Sequence, residues 1–371
     1  SIALVDRGQT RSATARSIRS ERGQCVTTPS TRSGAGSDTL MYVFNFENND
    51  GFSVIAANRA VDPVLAVAEK GNYTYGEPTG VENFDFYMDA MAQSLAVIKP
   101  PKFDTIRTTP KFKTVEVNES RSCDPLIPVR WGQRSPYGDY CSNGYSGCVA
   151  TAIAQIMAYY RFPSSFTTTY TDAPHAGETI ALNWTSIISY PYVYQVPALM
   201  REIGQRVEMT YHPIDENDME TGSSAFSYMA PDCLISFGYS CASGLASYEI
   251  ASIRTNLDET HPVYVRANDI SEGGHAWIAD GYIYSRIGTE YYEEILIDNG
   301  LTLYYDYILT NSTVQTTNLV HYNWGWNGSC DGYFAPGDGV ASGNGYIFNG
   351  LQMITSIRLP RIDSNLNQDF L

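Results

Sequence analysis

Near residue 260 the apolar pattern changes period, and that change narrows the choice of fold more than any other feature of the chain. Upstream, apolar residues recur at helical spacing. Val149, Ile153, Ile156, Met157 and Tyr160 form one such run, and Val196, Leu199, Met200, Ile203, Val207 and Met209 another. Shorter helices are expected over 223–237 and 248–256. Downstream, runs rich in β-branched and aromatic residues occupy 261–267, 275–284, 291–297, 303–308 and 319–324. Helices followed by consecutive strands specify an α+β fold, with the helices packed on an antiparallel sheet or barrel-like half.

A smaller unit precedes this one. Residues 41–46 and 52–57 read as a hairpin around Glu47-Asn48-Asn49-Asp50-Gly51, and 63–68 as a third strand. A helix over 81–98 places Phe84, Tyr87, Met88, Met91, Leu95 and Ile98 on one face, able to cover that small sheet. Pro100-Pro101 ends it. The unit holds no histidine and a single cysteine, Cys25, so a binding or covering role is expected. Residues up to about 38 are rich in Ser, Thr, Arg and Gly, and read as an extended or loosely held arm. Residues 103–128 read as a polar connector carrying Arg107, Pro110, Lys111 and Lys113. It lacks the apolar pattern to dock firmly and is expected to be open to proteolysis.

Composition excludes several functions. A chain of 371 residues with net charge -16 is poorly suited to nucleic acid or anionic lipid. No apolar run approaches the roughly 20 residues of a membrane span. The first seven residues lack the pattern of a signal peptide, so the chain either never had one or begins after its removal. The 7 cysteines are odd in number, so at least one thiol is free or paired elsewhere. Cys233 and Cys241 are near enough for a local disulfide. No Cys-x-x-Cys pair occurs and the histidines are scattered, so neither a metal nor another cofactor is expected.

The chemistry centres on Gly147-Cys148-Val149-Ala150-Thr151-Ala152. Cys148 stands at the start of a helix that Pro163 stops. Unpaired N–H groups and the positive end of the helix dipole there favour a thiolate, so its pKa is expected to fall. The same N–H groups can receive the oxygen of a tetrahedral intermediate. A buried structural cysteine is the competing reading. A thiolate nucleophile also needs a base and a group to orient that base. His275, in Gly273-Gly274-His275-Ala276-Trp277, is the best base candidate, and His321 the second. The third group is expected from Asn323-Trp324-Gly325-Trp326, where an indole can shield an imidazole and the Asn323 amide can accept from it.

These motifs, in this order and with Asp280-Gly281 after the histidine, resemble the streptopain-type cysteine peptidases, secreted bacterial proteases with a papain-like catalytic domain. Interpain-like enzymes of Bacteroidetes are the narrower likeness. The resemblance reaches the first unit, where residues 52–71 look like part of a streptopain-type pro-domain. It implies a small α+β pro-domain with its arm over 1–105, a connector or activation region over 106–128, and a papain-like domain over 129–371. It implies Cys148 as nucleophile, His275 as base and later acid, and Trp324 or Asn323 as the orienting group. Trp131-Gly132-Gln133 followed by Pro136-Tyr137 resembles a streptopain-type pattern. Gln133 is thereby implied as oxyanion donor beside the Cys148 N–H, ahead of Ser142, which stands at the papain position. Gly273, Gly274, Trp326 and the Gly-rich stretch 337–350 are expected to flank the cleft. The partners so implied are protein or peptide substrates and the chain's own pro-domain, an intramolecular inhibitor that would hold 273–275 away from Cys148. The setting so implied is a bacterial surface or secreted zymogen of virulence-factor type, cleaving after an apolar penultimate side chain. Two rival readings are a transglutaminase-like acyltransferase with Asp280 as third member, and a non-catalytic adhesin or inhibitor.

Overall fold

A computed structural model describes residues 23–27, 39–58, 61–98, 112–213, 222–241, 244–269, 273–298, 303–336 and 351–360. The stretch 337–350 and most of the expected N-terminal arm lie outside these residues.

Four strands open the chain: β1 (Gly23–Thr27), β2 (Thr39–Asn45), β3 (Phe52–Ala56) and β4 (Val64–Ala68), followed by α1 (Glu82–Val97) and β5 (Phe112–Cys123). The helical half holds α2 (Cys148–Tyr160), the pair β6 (Ser165–Thr167) and β7 (Thr179–Ala181), α3 (Trp184–Ser189) and α4 (Gln195–Arg206). The pair β8 (Thr210–Tyr211) and β9 (Ser223–Ser224), α5 (Ala230–Ser236), β10 (Ala246–Ser247) and α6 (Ile250–Asp258) complete it. Then come β11 (Val263–Asp269), β12 (Gly273–Asp298), β13 (Leu303–Ser312), β14 (Gln315–Asn323), β15 (Gly332–Phe334) and β16 (Gln352–Ile354).

One sheet runs through both units, in the order β1-β2-β3-β4-β15-β14-β12-β11-β16-β10, with β5 and β13 also on β12. The junction is β4 against β15, antiparallel, with Ala68 opposite Gly332 and Ala66 opposite Phe334. Gly332 is required there, because a Cβ would lie 2.3 Å from the Val67 carbonyl oxygen. Side chains alternate across the sheet. Val263, Val265, Ala267, Trp277 and Ala279 join the core shared with β2–β4 and α1. Tyr264, Ala276 and Ile278 join the core under α2, α4 and α5.

Three expectations change. β1, read as part of a loose arm, pairs with β2, Cys25 opposite Tyr42. β5, read as an undocked connector, lies along β12 from Cys123 opposite Tyr282 to Phe112 opposite Glu293. Its side chains are mostly exposed, so backbone hydrogen bonds hold it, and these need no apolar period. The two strands expected over 275–284 and 291–297 are one continuous β12, whose middle is flanked by β5 on one side and β14 on the other. Cys233 and Cys241 are free thiols. No helix among the described residues is long and apolar enough to cross a membrane.

Candidate active site

Gly147 enters α2 with φ of 84°, backbone that favours glycine, and a Cβ there would meet Met209 Cε at 2.7 Å. Cys148 is the first helical residue, as its sequence context predicts. Its sulfur is hydrogen-bonded by the backbone of Ala276, and the N–H groups of Val149 and Cys148 also favour the thiolate. Burial opposes them and is the largest influence, and the Glu82 carboxylate adds to it, so the pKa rises. The expected fall is therefore corrected. The helix terminus is in place, but the half-buried cysteine stands near a carboxylate of α1.

His275 follows Gly273 and Gly274 on β12, opposite Ala267. Strand alternation sets it on the side of Trp277 and Ala279, the side that α1 covers. Its Nδ1 lies 3.9 Å from Glu82 Oε2, and its ring centroid 6.3 Å from that of Phe86. The fold thus brings the two motifs together, since Ala276 meets the cysteine, while the imidazole is turned towards the first unit.

Asn83, one residue into the same helix, is the link the sequence reading missed. It is buried, and its Nδ2 donates to the carbonyls of Trp324 at 3.0 Å and Ala276 at 3.3 Å. Its Oδ1 accepts from Trp326 Nε1 at 3.0 Å. Around it, Phe84 packs edge-on to Trp324, and Tyr87 packs on Trp277, Tyr322 and Trp324. The available signal was a single amide at the N-terminal end of the apolar face 84–95.

Asn323 and Trp324 are both buried and both occupied. Asn323 Oδ1 accepts from Gln155 Nε2 at 3.0 Å and Gly325 N–H at 3.1 Å, while its Nδ2 donates to Val129 O. Trp324 Nε1 donates to Cys330 O, and its N–H to Asp331 Oδ1. Gln133 is buried, and its carbonyl accepts from Ser146 N–H at 2.9 Å, two residues before Cys148. Ser142 is exposed.

His321 and Asp280 form a separate pair, Nδ1 to Oδ1 at 2.6 Å, both buried. Asp280 Oδ2 also accepts from Ile127 N–H at 3.1 Å. Asp280 is thus committed to His321 and not to His275, which removes the geometric basis for a triad through Asp280. Glu69, at the end of β4, lies 3.8 Å from His321 Nε2 and pairs with Arg130 at 2.5 Å.

The peptidase C10 family model matches residues 131–334, and the Spi protease inhibitor model matches 5–95. The chain is 24% identical to streptopain of Streptococcus pyogenes over 367 residues, covering 84% of this chain and 80% of streptopain. It is 25% identical over 354 residues to the thiol protease/hemagglutinin PrtT of Porphyromonas gingivalis, covering 83% of this chain but 36% of that protein. In fold it is similar to a prointerpain A fragment of Prevotella intermedia, with a TM-score of 0.53 at 22% identity over 90% of this chain and 98% of the fragment. An inhibitor-like front unit, a cysteine at the start of a helix and a histidine strand alongside are parts of one architecture, and the chain belongs to the peptidase C10 family of papain-like cysteine peptidases.

Proposed function

We propose that the chain is the latent form of a secreted cysteine endopeptidase, with Cys148 as nucleophile and His275 as base. The observation that carries this reading is the position of Ala276. Its backbone meets the Cys148 sulfur, its chain neighbour is His275, and its carbonyl is bonded by Asn83 of the front unit. In the working form, His275 takes the thiol proton. The sulfur then attacks the scissile carbonyl carbon, and the oxyanion forms beside the Cys148 N–H and Gln133. The imidazolium returns the proton to the leaving amine, and water releases the acyl group from sulfur. Trp324 is favoured over Asn323 as the orienting group, because both lone pairs of Asn323 Oδ1 are already used. Gln133 is favoured over Ser142, because it is buried and its carbonyl is bonded by Ser146, two residues before Cys148.

Residues 1–105 act as the intramolecular inhibitor of 129–371, and processing in the connector removes them. The backbone of β5 is paired along its length, so the cut falls to either side of Phe112–Cys123. Cys148→Ala is expected to abolish peptide hydrolysis with the fold intact. Intact-mass analysis should find that variant unprocessed while wild type loses the front unit. Hydrolysis by Cys148→Ala, or full activity from unprocessed wild type, sinks the reading.

A further inference from the structure

We propose that Gln155 is a positioning residue for this chemistry, a single buried amide that locks the nucleophile helix to the segment leading to Gln133 and to the turn that carries Trp324. The inference rests on the peptidase reading above.

Gln155 lies seven residues after Cys148, two helical turns on, and so shares its stripe of α2. Thr151 lies between them on that stripe. It is fully buried, and its hydroxyl bonds Gly147 O at 3.0 Å and Ser146 Oγ at 3.0 Å. The rest of α2 from Val149 to Ala158 is buried too, and apart from Thr151 every other side chain there is apolar. Thr151 also donates to Gly132 O at 3.4 Å, and Gln155 reaches further, joining Trp131 to the turn at Asn323.

Its bonds have only one possible polarity. The Trp131 N–H can only donate, so Gln155 presents Oε1 to it, at 3.0 Å. Gln155 Nε2 therefore faces Asn323 and donates to Oδ1 at 3.0 Å. Asn323 then has Nδ2 left, and donates it to Val129 O at 3.1 Å. Backbone groups of fixed character stand at both ends, so neither amide can flip without two like groups meeting. The relay closes a ring through 129–131, α2 and the turn at Asn323. Gln133 is two residues beyond one end, and Trp324 is the next residue beyond the other. Within this ring the amide of Asn323 is a strut, and its companion Gly325 N–H bond fixes the main chain on which Trp324 is carried.

The test compares wild type, Gln155→Glu and Gln155→Met, each expressed as the full chain and processed. Active sites are counted with an irreversible thiol-directed peptide probe, so that kcat is expressed per competent site. The ionised glutamate keeps the acceptor for Trp131 N–H but sets a carboxylate oxygen against Asn323 Oδ1. At neutral pH its kcat per titrated site should fall roughly 10- to 100-fold with KM changed less than about twofold. Lowering the pH protonates that carboxyl, restores a donor towards Asn323, and should raise the ratio of variant to wild-type kcat. Gln155→Met, uncharged and of similar size, should show a loss of kcat without that pH-dependent recovery, and it carries the test if the glutamate variant does not fold. Fewer titratable sites with unchanged kcat per site, in either folded variant, would show a structural role only and overturn the proposal. Active wild type beside wild-type-like variants overturns this inference alone. Wild type that is processed yet inert towards peptides sinks the peptidase reading and this inference with it.

Discussion

At the N-terminus of α1, neighbouring side chains make contributions of very different size. Glu82 is 62% exposed, so its pair with His275 is screened by water and is worth at most about 1 kcal/mol. Asn83 is buried and makes three hydrogen bonds to the site. Removing it leaves two buried carbonyls without this donor, each costing about 1–3 kcal/mol, and a half-buried indole N–H that water can reach more cheaply. Asn83→Ala should therefore loosen the front unit and speed processing, seen as an earlier loss of the full-length mass, while Glu82→Gln changes the time course little. Gln133→Ala addresses the proposed oxyanion donor. Its kcat should drop by roughly 10²- to 10³-fold with KM nearly unchanged, measured on the processed enzyme. Cys148 was legible in the sequence because a glycine followed by a helix announces its own geometry. The direction of its pKa was not, because burial depends on the packed fold and the Glu82 carboxylate comes from a helix some 60 residues upstream in the chain. Asn83 was illegible for a related reason. An amide at the start of an amphipathic helix reads as solvent-facing until its partner surface is known.

Among the elements, the seam between β4 and β15 collects titratable groups. Burial holds the Asp331 carboxyl up to about 7, against the opposing effects of the Trp324 N–H and His321. Burial lowers His321, but Asp280, Asp331 and Glu69 together outweigh it and leave its pKa raised. Both groups then hold protons in the folded chain that they give up when unfolded. For Asp331 that window runs from about pH 4, the ordinary carboxylate value, to about 7. For His321 it begins near 6.5 and extends upward. Across each window the folded state binds more protons, so stability falls as pH rises. The unprocessed Cys148→Ala protein should accordingly melt at a lower temperature at pH 8 than at pH 5.5. Asp331→Asn should reduce the part of that slope lying below pH 7, read from thermal melts across the range. The elements themselves were mostly legible, since β2, β3, β4, α1, α2 and α4 follow apolar periods within a few residues of expectation. β5 was not, because a polar strand held by backbone bonding alone leaves no periodic trace. The seam was not either, because strand order is a property of two distant segments and of neither alone.

For the molecule as a whole, one continuous sheet and one core join α1 and β2–β4 to β12–β15, so the inhibition proposed above would be built into the fold and not be a plug resting on a finished enzyme. The α+β class could be read from the change of period. That the units share a sheet could not, because β15 has only three residues and no pattern of its own. The same arrangement divides the tryptophans. Of the 5 in the chain, Trp131 and Trp184 belong to the core under the helices, while Trp277, Trp324 and Trp326 stand against α1. Departure of the front unit would bring water to those last three indoles and leave the first two dry. Activation should then report itself in the protein's own light, as a red shift of tryptophan emission with newly gained iodide quenching, following the time course of mass loss and missing in Cys148→Ala. Unchanged emission during full processing would mean that those rings stay covered after the cut.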